Sequence, residues 1–217
     1  MAMSKVKTKK LCSDHRTQVG VQRRKKTEAL IIRAALNVFA EKGRDGAVID
    51  DVLVAADISR GTFYNYFDSV EQLLERTSRW MVEDLIANFI EPLLIMQVDP
   101  AERLCTGLRL FFQRAEADRE WCRFIGRIWT IGPLDAPSKD IRRGMRLKIF
   151  TVPSFEAALT MQRGTIREAL LRIATGDIPK RYSDQITEVI MQGLGVGKLR
   201  IAEIMSKPLP VIKQRAS

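Results

Sequence analysis

The 217-residue sequence predicts an all-α fold, with a small N-terminal helical head and a larger helical body. Three observations carry this prediction. Apolar residues recur three and four positions apart from Ile31 to Ile204, and no stretch alternates apolar with polar as a half-buried strand would. Glycine and proline punctuate the periodic segments, at Gly43, Pro92, Pro100, Pro133, Pro137, Gly176 and Pro179. There is no internal repeat of the length that marks a solenoid or propeller.

Taken in order, residues 1–22 form a basic arm, expected to be disordered. Thr27 can cap a first helix running to about Lys42, with Ile31, Ala34, Ala35, Val38 and Phe39 on one face and Gly43 at its end. Val48 to Ala56 reads as a short second helix closed at Asp57, a residue type that tolerates a left-handed backbone. Ser59 to Phe67 follows as a third. The two short helices and their turn form a helix-turn-helix, whose second helix is the kind that enters a major groove. Ser69, with Gln72 three residues on, has capping-box spacing and opens a fourth helix through Leu73, Leu74, Thr77, Trp80, Met81, Leu85 and Phe89. This places the head at 23–72 and the body at 73–217.

Within the body, Pro92 and Pro100 bracket a break. Helices are then expected around Leu104–Ala115, Trp121–Trp129 and Asp140–Phe150, followed by a long one from Ser154 to Gly176. Ser183–Gly193 and Lys198–Ser206 complete the set. Gly193-Leu194-Gly195-Val196-Gly197-Lys198 is a helix-ending turn and not a phosphate loop, because Gln192 stands where the first glycine is needed and Leu199 where Ser or Thr is needed.

The net charge of +10 is unevenly placed. Residues 1–26 carry nine Lys or Arg against one Asp, whereas residues 27–72 carry four against eight acidic residues. An acidic reading head beside a basic segment predicts that Arg23, Arg24, Lys25 and Lys26 supply the nonspecific attraction to phosphate. For residues 1 to about 20, a solvated tail is the alternative reading. No apolar run is long enough for a membrane span, and the basic N-terminus lacks the apolar segment of a secretory signal, so a cytoplasmic protein is expected. Cys12, Cys105 and Cys122 are too few and too widely spaced for a disulfide framework or a metal site. The single histidine, His15, lies in the arm, and the carboxylates form no paired acid and base. No catalytic residue, metal or cofactor is therefore expected, and the chain is not read as an enzyme.

Ala34-Ala35-Leu36-Asn37-Val38-Phe39-Ala40-Glu41-Lys42-Gly43, Asp51-Val52, Ala55-Ala56, Ser59 to Phe67 and Glu71-Gln72-Leu73-Leu74 together resemble the TetR family of bacterial transcriptional regulators. The resemblance is specific over residues 27–75 and weaker beyond. It implies a ligand-binding body that dimerises through its last two long helices, here about 154–175 and 183–193. It also implies double-stranded DNA, a second copy of the chain and a small-molecule effector of unknown identity as partners, with no membrane. On the head it places Arg60 and Thr62 toward the groove, Gly61 where close approach is needed, and Tyr64, Asn65 and Tyr66 near phosphates or bases, with Ser59 and Thr27 beside them. Phe63 and Phe67 face the head's own core. Tyr64 and Tyr66 have packing as their alternative reading. Arginine suits groove reading because its planar fork can donate twice to guanine. Three departures from the family pattern, Val48, Asp57 and Val70, remove a cap, a turn glycine and a phosphate-binding lysine.

For the body, Trp80, Phe89, Phe111, Phe112, Trp121 and Trp129 are candidate walls of a ligand pocket, and core packing is the competing reading of each. Arg123 is the candidate polar group there. Arg119, Arg123 and Arg127 share a helix face that is either solvated or turned toward an anionic ligand end. The expected function is a homodimeric, cytoplasmic repressor released from a palindromic operator by a small molecule. The alternative is an adaptor of the same fold that recruits a protein partner and has no effector.

Overall fold

A computed structural model describes residues 4–42, 46, 48–127 and 135–210, and every described regular element is helical. The chain divides into two compact units, Met1–Thr77 and Ser78–Ser217. The division lies inside one helix, a few residues beyond the predicted boundary at 72.

In the first unit, α1 spans Ser4–Lys42, so it starts well before the predicted cap at Thr27. The cause is local: no proline falls between these bounds, and Lys, Arg and Gln are good helix formers. Thr27 does not cap. Its hydroxyl donates back to the Arg23 carbonyl at 3.2 Å, as a threonine inside a helix does. The predicted apolar face is buried, with Ile31, Ala34, Ala35, Val38 and Phe39 joined by Ile32. Helices α2 (Ile49–Ala56) and α3 (Arg60–Tyr64) pack beside it, giving Val52, Ala56, Phe63 and Phe67 to the same core. Helix α4 (Val70–Leu85) adds Leu73 and Leu74. Arg76 on α4 donates from Nη2 to Glu28 of α1 at 2.6 Å.

Two caps in this unit differ in detail from expectation. Val48 has no acceptor to offer, yet Asp51 supplies the reciprocal half of a capping box, its Oδ2 accepting the Val48 N–H at 3.2 Å. Ser69 Oγ accepts the Gln72 N–H at 3.2 Å as predicted, but Gln72 Oε1 accepts from Asp68, one residue before the cap. Asp57 adopts the left-handed conformation at φ 51°, and the Ile58 N–H closes the turn on the Leu53 carbonyl.

The second unit continues from α4 into a π-helical turn at Ile86–Ile90 and then α5 (Glu91–Leu94). The break lies between Pro92 and Pro100, as the sequence brackets it, and Pro92 itself stays helical. Lacking an N–H, it leaves the Asn88 carbonyl without its helical donor, and the backbone widens one turn earlier, where Glu91 N–H reaches Ile86 O. The interruption comes at residues 95–99, and Asp99 caps α6 (Pro100–Ala117) by accepting the Glu102 N–H at 2.9 Å. Around α6 stand α7 (Arg119–Arg127), α8 (Asp135–Arg146), α9 (Phe155–Thr175), α10 (Tyr182–Gly193) and α11 (Lys198–Ser206). Helix α8 stops short of the predicted Phe150, with Lys148 left-handed at φ 57°. Gly126 lets α7 lie close on α9, since a Cβ there would stand 3.3 Å from that of Leu170. The Gly193–Lys198 segment is the expected turn. Gly195 sits at φ 84°, and its N–H donates to the Gln192 carbonyl at 2.8 Å.

Candidate nucleic-acid interface and body cavity

Recognition helix α3 is one and a half turns long, so its geometry depends on its caps. Ser59 Oγ accepts the Thr62 N–H at 3.1 Å, and the two hydroxyls lie 2.9 Å apart. Ser59 is thus occupied in holding the helix start. Phe63 and Phe67 are fully buried, which turns the opposite side of the helix outward. Arg60, Gly61, Tyr64 and Asn65 are exposed there, with Thr62 and Tyr66 half-buried. A Cβ added to Gly61 would meet nothing nearer than Ser59 Oγ at 3.9 Å, so the fold itself does not require glycine at this position.

Two charged contacts tie neighbouring helices to α3. Arg60 Nη2 pairs with Asp50 Oδ1 of α2 at 2.5 Å, both side chains remaining more than half exposed. Arg24 Nη2 donates to the Asn65 carbonyl at 3.1 Å and stacks 5.5 Å from the Tyr66 ring centroid. The sequence groups Arg23 to Lys26 as one basic patch, but on a helix consecutive residues point in different directions. All four are exposed, and Arg24 is the member that reaches the recognition helix. Lys42 bonds Asp51 at 2.6 Å, which with the Val48 N–H holds the Asp51 carboxyl below its ordinary range. Asp50 is the residue that sequence reasoning missed: a pair of acids at a helix start also fits the helix dipole.

The body encloses a cavity with about 740 Å³ of empty space, open solvent at its mouth included. Its apolar wall includes Ile90, Leu94, Leu104, Leu108, Phe111 and Ile166. Of the sequence-predicted wall residues that are described, only Phe111 lines it. Phe112 and Trp121 are core residues, Trp121 lying edge-on to Phe111 at 5.6 Å. Phe89 packs against the core outside the cavity, Trp80 is half-buried away from it, and Arg123 is exposed. Trp129 lies outside the described residues.

The polar end of the cavity was not anticipated. Arg103 donates from Nε to Asp140 at 3.1 Å, from Nη2 to Glu91 at 2.9 Å and from Nη1 to the Leu94 carbonyl at 2.5 Å. Burial pushes the Asp140 carboxyl above its ordinary range, and Arg103 pulls it partly back. Gln162 and Ser138 also line the cavity. Among the described residues no cluster of His, Cys, Asp and Glu could hold a metal ion, and no helix is long and apolar enough to cross a membrane.

Residues 31–77 match the model of the tetR family of bacterial regulatory proteins. The repressor DhaR of Mycobacterium sp. strain GP1 is 30% identical over 74 residues, 34% of this chain and 37% of DhaR. The regulator BetI of Burkholderia ambifaria is 26% identical over 150 residues, 67% of this chain and 75% of BetI. Matches to DhaR and to KstR2 of Rhodococcus jostii span about a third of those relatives, 37% and 32%. Among solved structures, RolR bound to resorcinol has a TM-score of 0.69 at 27% identity, covering 89% of this chain and 100% of RolR. Residues 31–77 thus carry the helix-turn-helix of the tetR family of bacterial regulatory proteins, and the helical body behind it is similar in architecture to that of RolR.

Proposed function

We propose that the protein is a sequence-specific DNA-binding transcriptional regulator and not an enzyme, a repressor released from a palindromic operator by a small molecule. The observation that carries the DNA-binding part is the outward face of α3, where Arg60, Gly61, Tyr64 and Asn65 stand exposed around a buried Phe63. Gly61 is not demanded by the fold, and the room it leaves suits a base edge or phosphate at close range. Two copies joined through α9 and α10 would set two such helices about 34 to 36 Å apart, the spacing of successive major grooves.

The cavity favours effector control over the adaptor reading, for which a solid body would be expected. RolR, similar over its whole length, binds resorcinol, and a small molecule of comparable size suits the cavity here. Release requires that the effector bind more tightly to a state that fits the operator poorly. In vitro selection of bound DNA by the full chain tests the reading, with an enriched inverted repeat expected. Recovery of no common sequence would overturn sequence-specific binding.

A further inference from the structure

Every nitrogen of the Arg103 guanidinium at the cavity's polar end is already engaged, by Asp140, by Glu91 and by the Leu94 carbonyl, with the Gln97 carbonyl at 3.5 Å. A ligand carboxylate arriving there would have to displace a carboxylate already in place, and would meet Glu91 and Asp140 at close range. Arg163, the other cation lining the cavity, is itself partnered. Arg103, the cation at the polar end, is thus closed to an anion. Two neutral groups differ. Gln162 is 4% exposed and has no hydrogen-bond partner among the described residues, although it lies in the apolar stripe of α9 between Leu159 and Ile166. Ser138 Oγ is buried without a partner as well. An amide offers donors and an acceptor, and a hydroxyl offers one of each. Leaving such groups unpaired in an apolar wall is unfavourable, which a ligand hydroxyl would relieve.

We propose that the cavity selects a small, uncharged, hydroxyl-bearing aromatic ligand, anchored by Gln162 and Ser138, and rejects carboxylated counterparts. The inference rests on the proposed effector site in the body and is independent of the head. The ring would lie among Leu104, Leu108, Phe111 and Ile166, where apolar burial favours it without regard to its substituents. Its hydroxyls would supply what the amide and the serine lack. Remaining lone pairs of Glu91 and Asp140 could accept from a second hydroxyl, whereas a carboxylate has no hydrogen to give them.

Titration calorimetry on the full-length chain, without DNA, with resorcinol, toluene and 3,5-dihydroxybenzoate as probes, tests this. Resorcinol is expected to bind at least about tenfold more tightly than 3,5-dihydroxybenzoate, because a carboxylate buried there without a cation of its own is unfavourable. Gln162→Leu, which keeps the volume, is expected to weaken resorcinol about tenfold while leaving toluene unchanged or tighter, and Ser138→Ala to act in the same sense. Equal binding of the diol and the dihydroxybenzoate would overturn the proposal. So would a parallel loss of resorcinol and toluene in both variants, or no binding of resorcinol up to its solubility limit. Because no DNA is present, loss of operator binding cannot produce any of these outcomes.

Discussion

The Arg60 guanidinium lies 2.5 Å from the Asp50 carboxylate, pairing the first residue of the recognition helix with the second residue of the helix before it. The pair spans the helix-turn-helix and holds the proposed reading residue in place before DNA arrives. It also gives guanine a competitor for the same donors. Arg60→Ala is expected to lower operator affinity by on the order of tenfold and to relax selection at one base in each half-site. Asp50→Asn should raise affinity roughly two- to fivefold and do so on unrelated DNA as well, since exposed pairs of this kind are weak. Gel-shift titration against operator and scrambled duplexes measures both. An Asp50→Asn protein with unchanged affinity for either duplex would show that the pair does not compete with DNA.

Arg24 joins α1 to the end of the recognition helix through the Asn65 carbonyl and the Tyr66 ring. Removing residues 1–22 is expected to have a modest effect on DNA affinity, whereas neutralising Arg23 to Lys26 should weaken binding to every sequence. Each lost phosphate contact reduces the slope of log K against log salt by about 0.9. Arg24→Ala should in addition lower operator selectivity, because it positions α3 as well as carrying charge. A salt slope unchanged in the fourfold variant would remove these residues from the interface.

Arg103 is the cation that allows Glu91 and Asp140 to share the polar end of the cavity. Arg103→Leu leaves Asp140 buried without its partner and is expected to destabilise the body by about 3 kcal/mol. The pH dependence follows from the raised Asp140 carboxyl. A carboxyl with a raised value in the folded protein contributes most when protonated, below its unfolded value, and this contribution is lost as pH rises through the folded one. With Arg103 gone the rise is larger, so the deficit in Tm should be greater at about pH 8 than at about pH 5. A deficit independent of pH would mean that Asp140 is not the group left exposed to the loss.

Burial pushes the Cys105 and Cys122 thiols up to about 11. Cys122 Sγ donates to the Leu170 carbonyl at 3.1 Å, and Cys105 Sγ lies 3.5 Å from the Met205 sulfur. Both are expected to stay unlabelled by a thiol reagent in the native protein at about pH 8, since the thiolate is the reactive form. The same raised values make the body lose stability as pH rises from about 9 toward 11, where the unfolded chain ionises first. Labelling of either residue without unfolding, read by peptide mass, would contradict this account of their burial.

The head was more legible in the sequence than the body, for physical reasons. Its core is built from local periodicity, the αL turn at Asp57 follows from residue type, and the inward Phe63 and Phe67 agree with what the family resemblance implies, whereas Ser59, which the resemblance sets among the DNA contacts, caps α3. Helix α1 was misjudged because Thr27 has the chemistry of a cap, and the absence of any stop signal before it was the better guide. In the body, Trp121 and Phe112 carry the same periodic signature whether they line a cavity or fill a core, so size alone could not separate the readings. Gln162 was the readable clue. A polar residue three after Leu159 and four before Ile166 interrupts an apolar stripe, and such interruptions require a partner. The Arg103, Glu91 and Asp140 cluster joins positions far apart in sequence and was not accessible to pattern.

The π-helical turn at Ile86–Ile90 has an evolutionary consequence for the cavity wall. A π-turn holds one residue more than the α-helical turn it replaces, so a lineage that lost a single residue there would return the segment to regular helix. Because the bulge already absorbs that extra residue, the chain beyond it would keep its phase, and Glu91 and Leu94 would stay in the cavity wall. One residue lost from the regular part of α4 would instead rotate the following chain by roughly 100° and detach Arg103 from the Glu91 carboxylate. Length can therefore change at this turn in descendants of the chain with ligand preference kept, whereas the same change a turn earlier would rebuild the cavity wall.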